Sequence, residues 1–197
     1  MASYRSLASV TLSLVSLLNA AFEEEQPVAD DTPATAALVN TVDFEQGPDT
    51  RIPNLGLSIF PYRVEVNRTM RPGWAGVGSL DGAGHLPLDV HVLLTPWADN
   101  PVDELRILGR SMQCLEACPI FSGPALSPLG GWARNEAVQI VVGEITTEEI
   151  MRTFDSLACD YRLSVPYILR VVRIDTPAVP MLDVGKVITG ITASVNA

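Results

Sequence analysis

Two histidines, three cysteines and a few acidic and basic pairs are the side chains in this 197-residue sequence from which a reactive site would have to be built. His91 lies on a predicted strand and shares a face with Asp89, whereas His85 sits in a glycine-rich loop. A nucleophile needs a base within hydrogen-bond reach, and these are the two imidazoles on offer. No Gly-X-Ser-X-Gly elbow accompanies them. An Asp89–His91 pair reads as a surface or interface contact before it reads as a dyad, and an enzyme using His91 or Cys159 is the weakest reading. Cys114 and Cys118 are four apart on a predicted helix and share its face. They have no second ligand pair, so they read as core thiols and not as half a zinc site. Three cysteines without framework spacing point to a reducing compartment. The stretch Gly76-Val77-Gly78-Ser79-Leu80-Asp81-Gly82 misses Gly-X-Gly-X-X-Gly by one residue. It follows a loop and precedes a strand, the reverse of what a phosphate cradle needs. Asp103-Glu104 and Glu148-Glu149 fall in predicted first helical turns, where carboxylates relieve the dipole, and no glycosidase pair is implied. No catalytic residue, cofactor or metal is expected.

What remains is chemistry of contact. The basic residues are twelve Arg and the single Lys186, and guanidinium groups make planar, bidentate contacts to carboxylates. Arg106 and Arg110 lie four apart on a predicted helix, and Arg170 and Arg173 on the last strand. Solvated faces account for such residues, and interface ion pairs are the sharper reading. Trp74, Trp97 and Trp132 stand in or beside loops, where tryptophans pack either locally or onto partners. The net charge is −10, and the first fifty residues hold eight carboxylates against Arg5 alone. Binding to nucleic acid through a basic face is not expected on these grounds, nor is docking to an anionic membrane. Hydrophobic residues make up 47% and charged residues 18%. Such a chain folds but has an unusually bland surface for a monomer, which hints at assembly. Its length suffices for one core without disulfides.

The elements that must position these residues follow from periodicity. Leu7, Val10, Leu14, Leu17 and Leu18 have 3/4 spacing, predicting a helix over 4–22. A positively flanked apolar run near the N-terminus also has the outline of a signal peptide, but its interrupting Ser and Thr residues favour a domain helix. The run is short for a membrane span. Strands are predicted at 38–44, 56–66, 86–96, 137–142 and 163–175. Pro61 marks the second as an edge strand or the site of a bulge. On the third, Leu88, Val90, Val92 and Leu94 share one face; on the last, Val165, Tyr167, Leu169 and Val171 do. Asn100-Pro101 opens a helix to about 117, with Leu105, Leu108, Met112 and Leu115 as its buried stripe. Thr146 and Glu149 form a capping box for a helix to about 158, with Ile150, Phe154 and Leu157 inward. Residues 45–55, 67–85 and 119–135 read as loops. The fold class is α+β: a single mixed or antiparallel sheet with about three flanking helices. Residues 1–175 form the domain and 176–197 an extended tail.

Four segments carry a resemblance. They are Tyr62-Arg63-Val64-Glu65-Val66-Asn67; Pro87 through Thr95; Leu108-Gly109-Arg110-Ser111-Met112-Gln113; and Tyr161 through Tyr167 running on to Val171-Val172-Arg173-Ile174-Asp175. Their order and separation resemble the DUF4255 family, the N-terminal domain of the cap or tail-terminator protein of phage-tail-like contractile injection systems. The resemblance covers about Ser6 to Asp175. Val66 and Arg68 stand where the family usually has proline, which bears on loop geometry. The resemblance implies a phage tail-terminator-like fold and a structural role. It implies a homo-hexameric ring that ends the inner tube and sheath and anchors one to the other. Sheath and tube proteins are then the partners, with no nucleic acid and no direct membrane contact. The particle is expected to be cytoplasmic, with release on lysis. The interface candidates are Arg63, Asn67, Trp74, Arg106, Arg110, Arg170 and Arg173. The tail could add to a sheet edge of a neighbour. The alternative is a non-enzymatic adaptor of the same fold outside any particle.

Overall fold

Val10, Leu14, Leu18 and Phe22 recur at helical spacing, and each is fully buried. They make α1 (Ser6–Glu24) a core helix, although its 19 residues are long and apolar enough to cross a membrane. The helix is therefore longer than the apolar run alone suggests. The computed structural model describes residues 2–29, 32–45, 47–75 and 84–176. The expected tail from 177 onward and the near-miss glycine motif at 76–82 lie outside them.

After α1 come β1 (Thr35–Leu38), a 3₁₀ turn (Thr41–Glu45), β2 (Gly56–Val66), the one-turn α2 (Arg71–Trp74) and β3 (His85–Trp97). Then follow α3 (Pro101–Ala117), β4 (Ile120–Ser122), two short 3₁₀ turns, β5 (Ala137–Val142), α4 (Thr147–Asp155) and β6 (Val165–Asp175). One six-stranded sheet has the order β1-β2-β3-β6-β5-β4. The β1–β2 pair is parallel and the others are antiparallel. The class is thus α+β with a mixed sheet.

Four local readings are corrected. The strand expected at 38–44 is divided. β1 ends at Leu38, and the chain then turns through Thr41–Glu45. The turn is held by a reciprocal cap: Asp43 N donates to Asn40 Oδ1 (3.3 Å) and Asn40 N donates to Asp43 Oδ2 (2.7 Å). On α3 the buried residues are Ile107, Leu108, Ser111 and Leu115, while Leu105 is 59% exposed and Met112 37%. The helix is rotated toward Ile107 because α1 packs beside it. Residues 120–122 of the expected loop add a short edge strand to β5. On β6 the register slips: Leu88 faces Val172 but Val90 faces Leu169. One extra residue in β6 reverses the alternation, so Val172, not Val171, enters the core.

Pro61 fits both readings offered for it. A register shift lies between Pro61 and Arg63, and β1 pairs β2 only through Gly56–Ile59. Proline therefore sits beyond the last β1 pair, where no ladder donor is needed. The outer edge of β1 is occupied differently. Asn19 of α1 donates through Nδ2 to Ala36 O (3.0 Å) and accepts through Oδ1 from Ala36 N (2.8 Å).

Candidate partner interface

The sheet has two faces with different coverings. On the first, α1 and α3 lie over a large core that includes Leu57, Ile59, Val90, Val92, Leu94, Ile140, Leu169 and Val172. The second face is divided along its strands. At one end Phe60, Leu93 and Trp97 join Val39, Phe44, Ile52, Ile150 and Phe154 in a smaller core roofed by the 3₁₀ turn and α4. Farther along the same strands the residues become charged: Arg63 and Glu65 on β2, Asp89 and His91 on β3, and Arg170 and Arg173 on β6. No α-helix longer than α2 covers this part among the described residues.

The covered end is built by local signals. The Thr146–Glu149 box forms as expected, with both reciprocal bonds, and starts α4. Thr146 N and Oγ1 both donate to Glu149 Oε2, and these bonds hold the Glu149 carboxyl below the usual carboxylate range. Phe44 packs edge-on to Phe60 (5.2 Å between ring centres) and to Phe154 (6.5 Å). Burial would raise the Asp43 carboxyl, but the Arg51 guanidinium and the amides of Asn40 and Arg51 outweigh it and hold it low. Arg51 Nη2 lies 2.9 Å from Asp43 Oδ2. Trp97 is buried, donates from Nε1 to Ser58 Oγ (2.8 Å), and carries the Arg162 guanidinium 4.5 Å above its ring. It is a packing tryptophan.

The open end holds a groove of about 810 Å³ between β6, β5, β4 and α2. Four of the seven interface candidates line it: Asn67, Trp74, Arg170 and Arg173. They differ in freedom. Asn67 donates through Nδ2 to both Asp89 oxygens (3.2 and 3.0 Å) and accepts from Met70 N (3.0 Å), which fixes the turn into α2. Asp89 is therefore paired with Asn67 and not with His91. Arg173 is held by Glu136 Oε1 at 2.8 Å and Asp175 Oδ1 at 2.7 Å, and Asp175 meets His85 Nδ1 at 2.6 Å. Trp74 is half-buried with its ring edge-on to His85. Arg170 is exposed, and its side chain makes no ion pair or hydrogen bond among the described residues. Trp132, a further lining residue, is anchored through Nε1 to Ser127 O (2.9 Å) and Ser9 Oγ (3.1 Å).

The other three candidates lie elsewhere. Arg63 pairs with Glu65 on the open end. Burial pushes the neighbouring His91 imidazole down and Arg63 pushes the same way, against Asp89. Arg106 is exposed and pairs with Asp103 at 3.0 Å on α3. Arg110 has a side chain only 16% exposed and ties α3 to the end of α1. It donates to Ala21 O (3.1 Å) and lies 3.4 Å from Glu24 and 3.5 Å from Glu25. The structure thus brings four candidates together, sets Arg63 farther along the same face, and makes Arg110 an internal tie.

Sequence reading missed Glu136 and Ile120 as groove residues and Asp43 as an organiser. Asn40-Thr41-Val42-Asp43 carries the capping-box pattern, a signal obscured by reading the segment as a strand. Nothing in the sequence marks Ile120, because the strand it begins is three residues long. Among the described residues no group of three or more His, Cys, Asp or Glu could hold a metal ion.

The fold is similar to two solved structures. The sheath/tube terminator of an extracellular contractile injection system, PVC, in its extended state matches with a TM-score of 0.52 and 16% identity over 89% of this chain. The tube-terminating cap of the anti-feeding prophage matches with a TM-score of 0.55 and 19% identity over 87% of this chain. The chain spans 60% and 56% of those proteins' lengths. No curated protein matches it. The Pvc16 N-terminal domain family, which is the DUF4255 family, matches residues 9–182. With that match over most of its length, the chain belongs to the Pvc16 N-terminal domain family.

Proposed function

We propose that this chain is a structural cap of a contractile injection system. Six copies form a ring that ends the inner tube and sheath and anchors the sheath to the tube. The observation that carries the reading is family membership across residues 9–182, and the likeness of the fold to a sheath/tube terminator and a tube-terminating cap supports it. The role is one of contact and not of catalysis. The second face keeps a charged, half-roofed surface at one end, as a subunit with several neighbours requires. A ring uses two different patches per subunit, closed by rotation. The length of β2 beyond β1, with Val64 and Val66 exposed, is an edge to which a partner's extended segment could add. In this reading the partners are further copies, sheath protein and inner-tube protein, within a cytoplasmic particle released on lysis.

Light scattering on the purified chain, alone and with inner-tube protein added, tests the proposal. A ring has six times the 21.2 kDa chain mass, about 127 kDa. That mass in either condition supports the cap. A monomer in both points to the adaptor of the same fold instead.

A further inference from the structure

We propose that the Arg170 groove is one half of a head-to-tail contact between copies of this chain, and that the acidic end of α1 is the other half. The proposal rests on the ring reading and names the surfaces that would close it.

The acidic half breaks a local rule. Glu23, Glu24 and Glu25 stand at the C-terminal end of α1, with no base in the last turn. Carboxylates there oppose the negative end of the helix dipole. Arg110 offsets Glu24 and Glu25 from α3. Glu23 is exposed and makes no ion pair among the described residues. Such local conflicts concentrate where function requires them.

The basic half is the groove. Its carboxylates are already committed: Glu136 to Arg173, and nearby Asp89 to Asn67. Arg170 has no neutralising partner among the described residues and stands in a groove whose lining includes Ile120 and Trp74. Arg68 and Arg134 adjoin lining residues Asn67 and Asn135, are exposed, and likewise make no ion pair among the described residues.

The two halves cannot meet within one chain. The end of α1 lies over β1, as the Asn19–Ala36 bonds require, and the groove lies over β6, β5 and β4. Strands β2 and β3 intervene in the sheet order. From β1 to β5 the distance is four strand spacings, roughly 19 Å. Two different surfaces of opposite charge at opposite ends of a subunit are the arrangement a heterologous contact uses.

The test is charge reversal in the full chain, with self-association followed by sedimentation at rising concentration, alone and with inner-tube protein. Arg170→Glu changes an exposed side chain, and Glu23→Arg relieves the helix dipole, so both variants keep the wild-type circular dichroism. Each reversal is expected to weaken self-association about tenfold or more, and the double variant to recover most of the loss. If the wild type assembles and neither reversal weakens it, the groove contact is wrong and the ring stands. Additive losses without recovery in the double variant also overturn the contact. A wild type that never self-associates overturns the contact and the ring together.

Discussion

The two ends of the second sheet face share strands β2 and β3, yet they differ in what covers them. At one end Phe60, Leu93 and Trp97 are buried beneath Phe44, Ile150 and Phe154. At the other, Arg63, Asp89 and Arg170 stand under no large element among the described residues. The first face gives the contrast its scale, because its core runs the whole width of the sheet beneath α1 and α3. A protein that needed only to be stable would extend the small roof. Leaving it half-built exposes backbone-supported charge in a fixed geometry, which is what a contact surface needs. The difference teaches where the packed core ends on a continuous sheet, and under the proposed function the open end is where recognition begins.

The comparison is broken most severely by Phe44→Ala. The ring is fully buried among three aromatics, so the loss should be about 3–5 kcal/mol in urea unfolding. A loss below 1 kcal/mol would show that the roof contributes little. Next comes Asp43→Asn, which removes the charge that orders the turn, at a cost of about 1–3 kcal/mol at neutral pH. Because the native carboxyl is held below its ordinary value of 3.8, its contribution is complete above the unfolded value. It is lost as pH falls through the lower native value. The gap between wild type and variant should therefore hold down to about pH 5 and close below about pH 4.

At the open end the effects should shrink. Asn67→Ala removes the side-chain support of the turn into α2 and should cost about 1 kcal/mol, read as a small fall in the unfolding midpoint. His91→Gln tests burial at the boundary. The native imidazole is held below 6.5, so protonation favours the unfolded chain, and stability falls as pH drops below that value. The variant should show a shallower decline between neutral pH and about pH 5. Arg170→Ala should change stability by less than about 0.5 kcal/mol. A larger loss would make Arg170 a structural residue and erase the distinction between the ends.

Much of this architecture could be read from residue order. The span of β2, the Asn100 cap of α3, the Thr146 box and the span of β5 follow from period, caps and breakers. What escaped has identifiable causes. The Asn40–Asp43 cap lay inside a β-branched, apolar run that imitates a strand. The stripe of α3 was misplaced because Leu105 and Ile107 are equally apolar, and only the position of α1 decides between them. The bulge in β6 is a property of pairing and has no single-strand signature. For the site, the family resemblance nominated seven positions, and four of them line one groove. It could not foresee that Arg110 would be spent on the end of α1. Burial and partner are facts of the tertiary fold, and an arginine on a helix looks the same in sequence whether it faces water or a neighbouring carbonyl.

Asn19 has a consequence for how the molecule behaves in a crowd. Its amide mimics a peptide unit and satisfies both outward groups of Ala36, while Gln26 Oε1 takes the amide of Ala34 at 2.9 Å. β1 is thus a stoppered border: a foreign strand arriving there would have to evict a side chain that is already a perfect decoy. Under the proposed function, a subunit concentrated on a growing particle would face a constant risk of runaway ladder growth and precipitation. With that border plugged by two side-chain amides near the end of its own helix, strand addition at β1 itself is opposed, and the edge left on that side is the part of β2 beyond Ile59.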